Sequence, residues 1–169
     1  SDIAGTTRDA VDTRVRFNKK DYIFVDTAGL RRKSRIQGDI ERYSIVRAVA
    51  AVEKADVVVL VIDGAEGVSE QDAKIAGIAH ERGKAVIIAV NKWDAVEKDN
   101  HTMSDQIDRI HKTLSFMLYA RIIFISALTG QRLGQLYEAI DQVIAASTMR
   151  VGTGVLNEIV AEAVAMQQP

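Results

Sequence analysis

Four short apolar runs, each closed by a polar residue, leave this chain few ways to fold. Tyr22–Val25, Val57–Ile62, Ala85–Val90 and Arg121–Ile125 are rich in β-branched residues; the first three end at Asp or Asn and the fourth at Ser126. Runs without polar alternation are buried on both faces, which is how strands of a parallel sheet read. Between them the apolar spacing turns helical. Residues 39–55 carry Ile40, Tyr43, Val46 and Ala50 near one face, and 131–146 carry Leu133, Leu136, Ile140, Val143 and Ile144. Ser69 with Asp72 and Thr102 with Asp105 have the spacing of a loose capping box, and Gly83 is placed to end the helix that starts near Ser69. Strand and helix in alternation predict an α/β fold, a doubly wound and mostly parallel sheet joined by right-handed crossovers.

The bulk numbers bound the rest. At 169 residues and 47% hydrophobic, the chain is long enough for one domain with a sizeable core. Its 22 Lys and Arg against 23 Asp and Glu give a net charge of −1, so any nucleic-acid partner must be met by a local patch, and DNA is not expected. The absence of cysteine removes disulfides and thiolate zinc sites. VVVLVI and VIIAV, the longest apolar runs, fall far short of the roughly 20 residues that span a bilayer. A soluble, cytoplasmic chain without a membrane partner is the expectation. The main domain is expected over 1–150. Residues 151–169, with Val155, Ile159, Val160 and Val164 at helical spacing and the sole proline at the end, read as an exit helix or linker.

Ligands of such sheets sit beyond the carboxyl ends of the strands, so the residues that follow each strand carry the chemistry. Asp26-Thr27-Ala28-Gly29 offers a carboxylate for the water shell of Mg²⁺ and a glycine that lets backbone approach a terminal phosphate. Taken alone it is equally an Asp-capped turn. Asn91-Lys92-Trp93-Asp94 is far more specific. A carboxylate in N-K-x-D accepts two hydrogen bonds, from the N1–H and the exocyclic amine of guanine, a pair adenine cannot offer. The lysine stem would lie along the base, and Asn91 would tie neighbouring loops together. Ser126-Ala127-Leu128 presents a backbone amide to the guanine carbonyl oxygen, a weak signal alone and a useful one in this order. Gly5-Thr6-Thr7-Arg8-Asp9 precedes the alternating strand pattern Thr13–Phe17, with Val15 and Phe17 on its buried side; a threonine there could ligate Mg²⁺ while a γ-phosphate is present. Trp93 is expected to pack beside the base loop, and Met103 and Met117 in helix packing.

The ordered set IAGTTRD, VDTAGLRRK, NKWD and ISALTG, followed by TGVLNEIVAEAV, resembles the second G domain of the EngA/Der family of bacterial ribosome-assembly GTPases, over essentially the whole chain. The resemblance implies a P-loop GTPase fold that binds GTP or GDP, hydrolyses GTP and serves large-subunit assembly through rRNA. It makes Thr7 the Mg²⁺-linked switch residue, Thr6 a nucleotide-binding residue beside it, Asp26 the water-mediated Mg²⁺ partner and Gly29 the neighbour of the γ-phosphate. Asn91, Lys92, Asp94, Ser126, Ala127 and Leu128 would hold guanine. It also implies activation by K⁺, held in part by the carbonyls of Ser1 and Ile3.

Two departures matter. Leu30 stands where many GTPases carry the glutamine that orients the attacking water, and no G-x-x-x-x-G-K-[S/T] run occurs. The expectation is that a strand, that loop and a helix, roughly 30 residues, belong to the working domain from outside this sequence, the strand lying between those at 22–26 and 57–62. Arg31, Arg32, Lys33 and Arg35 are either a solvated loop or a contact to rRNA phosphates. The competing readings are a nucleotide-deficient rRNA- or protein-binding fragment and a related GTPase of tRNA modification.

Overall fold

The computed structural model describes residues 12–25 and 39–166, with side chains from residue 46 onward in the second stretch. Its centre is a parallel sheet of β3 (Val57–Asp63), β4 (Ala85–Asn91) and β5 (Arg121–Phe124), in that order. Both faces are buried, as the unalternating runs predict. Val86, Ile88 and Val90 of β4 face one cluster with Leu60, Ile62, Ile110, Leu114 and Met117, while Ile87 and Ala89 face another with Ile123, Leu136, Ala139 and Ile140. Each large side chain so buried contributes about 1.5–3 kcal/mol relative to exposure, so β4 is the anchor of the molecule.

The first face is covered by α2 (Glu70–Glu81) and α3 (Thr102–Thr113), joined at its edge by Val52 of α1 (Asp39–Lys54); the second is covered by α4 (Leu133–Ser147). The sheet is thus wound on both sides. In α2 the start and stop signals act as expected. The Ser69 hydroxyl accepts the Asp72 amide at 3.2 Å and the Asp72 carboxylate accepts the Ser69 amide at 3.0 Å. At the other end Gly83, at φ +62°, donates to His80 while Lys84 donates to Ala79, the paired bonds of a Schellman stop. The start of α3 differs from the expected Thr102–Asp105 box. Thr102 is already the first helical residue, and the Asp99 carboxylate accepts the amides of His101 and Thr102 at 2.8 and 2.7 Å, satisfying two otherwise orphan donors. Met117 lies in the core, whereas Met103 in the first turn of α3 is partly exposed.

The strands β1 (Thr13–Phe17) and β2 (Lys20–Phe24) form an antiparallel hairpin. Asn18 and Lys19, both at positive φ, make the tight turn whose twist suits a hairpin. Val15 and Phe17 are half-buried between exposed arginines, as their alternation predicts. The run at 22–25, expected as a buried parallel strand, is instead half-exposed, with Ile23 open to solvent, because among the described residues its partner is β1 alone. The hairpin docks on α4. Tyr137 stacks on Phe17 at 4.3 Å and meets Tyr22 edge-on at 4.9 Å, and Asp141 accepts from Lys20 and Tyr22. Among the described residues β2 and β3 are not paired. The last helix, α5 (Thr153–Met166), buries no residue and leaves Val155, Ile159, Val160 and Val164 exposed.

Candidate functional site

The register brings the predicted NKWD and SAL loops to one edge of the sheet. Asp63 lies beside Asn91 at the carboxyl ends of β3 and β4, and Val90 lies beside Phe124 on β5, so the loops leaving all three strands start level. Asn91 is the link between two of them: its side-chain oxygen accepts the Ala127 amide at 2.9 Å. Two further backbone bonds join the same loops, from Trp93 to Ile125 at 3.1 Å and from Ile125 to Val90 at 2.8 Å. NKWD and SAL are therefore one connected surface rather than two adjacent loops.

Within NKWD the side chains divide by role. Trp93 is buried against Phe124, with ring centroids 4.4 Å apart, and supports the loop from below, as expected of a packing residue. Asp94 is exposed, in a turn closed by the Ala95 amide donating to Lys92 at 3.0 Å. That turn places Lys92 at φ +60°, an uncommon conformation for a residue with a β-carbon. In SAL, Ser126 is fully buried. Its hydroxyl accepts the Thr129 amide at 3.2 Å and its own amide donates to Gln131 at 3.1 Å, so it shapes the turn from within. Ala127 and Leu128 are exposed at the tip. The Asp94 carboxylate and the tip of SAL are both exposed. Because the Ala127 amide is already engaged by Asn91, a guanine oxygen reaching it must share or displace that bond.

Two residues of this edge escaped the sequence reading. Asp63 is buried, and its Oδ2 lies 2.6 Å from Lys92 Nζ while its Oδ1 accepts the amides of Ala65 and Glu66 at 2.9 and 3.4 Å. The lysine's bond, followed by those amides, outweighs burial and holds its carboxyl below the usual carboxylate range. Gly64 donates to the Asn91 carbonyl at 2.8 Å, and a β-carbon there would lie 3.0 Å from that same oxygen. The available signal was position: Asp63 closes the run Val57–Ile62 as Asn91 closes Ala85–Val90.

The remaining predicted positions, Ser1, Ile3, Thr6, Thr7, Asp26 and Gly29, lie outside the described residues, as do Leu30 and the basic stretch Arg31–Arg35. Among the described residues no group of three or more His, Asp or Glu side chains is placed to hold a metal ion, and no helix is long and apolar enough to cross a membrane.

Comparison with known proteins places this edge in context. Over all 169 residues the chain is 69% identical to GTPase Der of Agathobacter rectalis and 65% identical to GTPase Der of Lachnospira eligens, in each case spanning 38% of the relative's length. Among solved structures it is similar to Era in complex with MgGDPNP and nucleotides 1506–1542 of 16S ribosomal RNA, with a TM-score of 0.65 and 30% identity over 83% of this chain and 46% of that one. The fold is that of the P-loop GTPases. Residues 1–92, more than half the chain, match the family described as 50S ribosome-binding GTPase, and the chain belongs to that family.

Proposed function

We propose that this chain is the guanine-recognising part of a GTP-binding and GTP-hydrolysing switch domain acting in assembly of the large ribosomal subunit. The observation that carries the reading is the bond from the Ala127 amide to the Asn91 side chain, which fuses NKWD and SAL into one platform at the strand ends. On that platform the Asp94 carboxylate would accept the two guanine N–H groups, and the SAL amides would meet the carbonyl oxygen. Charge-assisted bonds of this kind contribute about 1.5–3 kcal/mol each, and a site that leaves them unmade rejects the wrong base. Lys92 would flank the base, and Asn91, Trp93 and Ser126 hold the loops still.

Hydrolysis would be in-line attack of water on the γ-phosphate, with positioning and charge neutralisation as the protein's contribution. Mg²⁺, assigned to Thr7 and Asp26, would neutralise phosphate charge, and K⁺, assigned in part to the carbonyls of Ser1 and Ile3, would add to it. Those residues lie outside the described ones. Support for the nucleotide comes from Era, solved with MgGDPNP, and the rRNA in that complex supports an RNA partner. A cytoplasmic location fits the same process. In this reading 1–150 is the G domain and 151–169, which includes the exposed α5, leads toward a following domain.

The reading is tested by calorimetric titration of GDP and GTP with Mg²⁺, against ADP and ATP, into the full-length protein that carries this chain. Guanine-selective binding, lost on substitution of Asp94, is the expected result. Failure to bind any guanine nucleotide at this site would favour an rRNA- or protein-binding role without nucleotide chemistry.

A further inference from the structure

We propose that Asp63 is the positioning residue for Lys92, and that their ion pair pre-orders the lysine stem as one wall of the guanine slot before nucleotide arrives. The inference rests on the guanine-binding reading above and adds to it a residue outside the NKWD and SAL motifs.

The geometry assigns the two Asp63 oxygens separate work. Oδ1 holds the loop after β3 through Ala65 and Glu66, whereas Oδ2 reaches across the strand ends to Lys92 Nζ at 2.6 Å. The pair is lopsided. The Asp63 side chain is 5% exposed and that of Lys92 65% exposed, so the buried member is fixed and the solvent-facing member is the one being placed. A lysine stem otherwise samples many rotamers, and ordering it on binding weakens affinity; ordering it beforehand removes that cost. The backbone is prepared in the same sense. Lys92 sits in the left-handed region, and the residues on either side are clamped, Asn91 by the Gly64 amide and Trp93 by the Ile125 carbonyl. A conformation this unfavourable persists only where its surroundings over-determine it, and such positions cluster at ligand clamps. The parallel register puts Asp63 directly beside Asn91, so the residue that places the lysine and the residue that ties the SAL loop are neighbours on adjacent strands.

The test is hydrogen–deuterium exchange of the full-length protein titrated with GDP, read on peptides spanning 63–67 and 91–96, which report this site alone. Asp63→Asn keeps the acceptor for Ala65 and removes the charge that holds Lys92. Its GDP midpoint is expected to rise about three- to tenfold, the range for one long side chain left to be ordered on binding. Lys92→Met should raise the midpoint at least as much, and the double variant should be no worse than Lys92→Met alone. A purely structural role for Asp63 would instead make the two losses multiply. Unchanged exchange of the core strands 57–62 and 85–90 verifies that Asp63→Asn is folded; Asp63→Ser, whose hydroxyl also serves the Ala65 amide, replaces it otherwise. A GDP midpoint for Asp63→Asn equal to that of the unmutated protein, or multiplying losses in the double variant, overturns the proposal while leaving the guanine site standing. Absence of GDP protection in the unmutated protein overturns both.

Discussion

Replacing Gly64 with Ala should damage the site through a single methyl group. A β-carbon at Gly64 would lie 3.0 Å from the Asn91 carbonyl oxygen, 3.0 Å from Val96 Cγ2 and 3.4 Å from Trp93 Cε3. The valine methyl can rotate away, but the carbonyl cannot, because it closes β4 and accepts the amide of Gly64 itself at 2.8 Å. Trp93 is buried against Phe124, which resists its shift. Overpacking of this type costs about 1–3 kcal/mol. Gly77 supplies the control. It lies inside α2, where an added β-carbon meets nothing within 4 Å, so Gly77→Ala should stabilise by about 0.5–1 kcal/mol through helix propensity. At about 2–4 °C per kcal/mol for a domain of this size, thermal unfolding should fall by roughly 2–12 °C in Gly64→Ala and rise by roughly 1–4 °C in Gly77→Ala. Since the crowded carbonyl belongs to the residue before Lys92, GDP affinity should fall with Gly64→Ala and stay unchanged with Gly77→Ala. Equal or raised stability in Gly64→Ala would refute the close approach of the β3 and β4 exits.

Two further outcomes follow from the contacts. Tyr137→Ala removes the ring that gathers Phe17 and Tyr22 on α4; with aromatic pairs contributing about 0.5–1.5 kcal/mol each, the β1–β2 hairpin should lose hydrogen-exchange protection while β4 keeps its own. Asp63 has its folded pKa depressed, principally by Lys92, so the unfolded chain takes up the proton first on acidification. Its stabilisation is present above the ordinary carboxylate pKa of about 3.9 and lost as pH falls through the folded value, and Asp63→Asn should therefore flatten the acid limb of a denaturation profile.

Much of this was legible in the sequence because it depends on local chemistry. The buried strands announced themselves as unalternating β-branched runs, and Ser69, Asp72 and Gly83 marked the ends of α2 through hydrogen bonds made within a few residues. NKWD was legible as the loop leaving β4, because Asn91 closes the apolar run Ala85–Val90. What escaped was set by pairing across the chain. Tyr22–Val25 has the composition of a buried strand, yet its burial is decided by which strand lies beside it. Thr102 looked like a cap, but it is the first helical residue, and Asp99, three residues earlier, accepts its amide and that of His101 with a stronger acceptor. Asp63 is one acidic residue among many until the register sets it beside Asn91 and within reach of Lys92. The Ser126 hydroxyl turns inward to Thr129, a contact that spacing alone does not reveal.

The guanine assignment turns on Asp94, and substituting Asn for it tests the account most directly. The change replaces an acceptor with a donor, so the amine of guanine loses its partner while the corresponding carbonyl of xanthine gains one. Losing charge-assisted bonds of about 1.5–3 kcal/mol each, GDP should bind roughly a hundredfold or more weakly, and competition between XDP and GDP on the full-length protein should now favour XDP at this site. Undiminished preference for GDP in Asp94→Asn would contradict the claim that this edge of the sheet reads guanine.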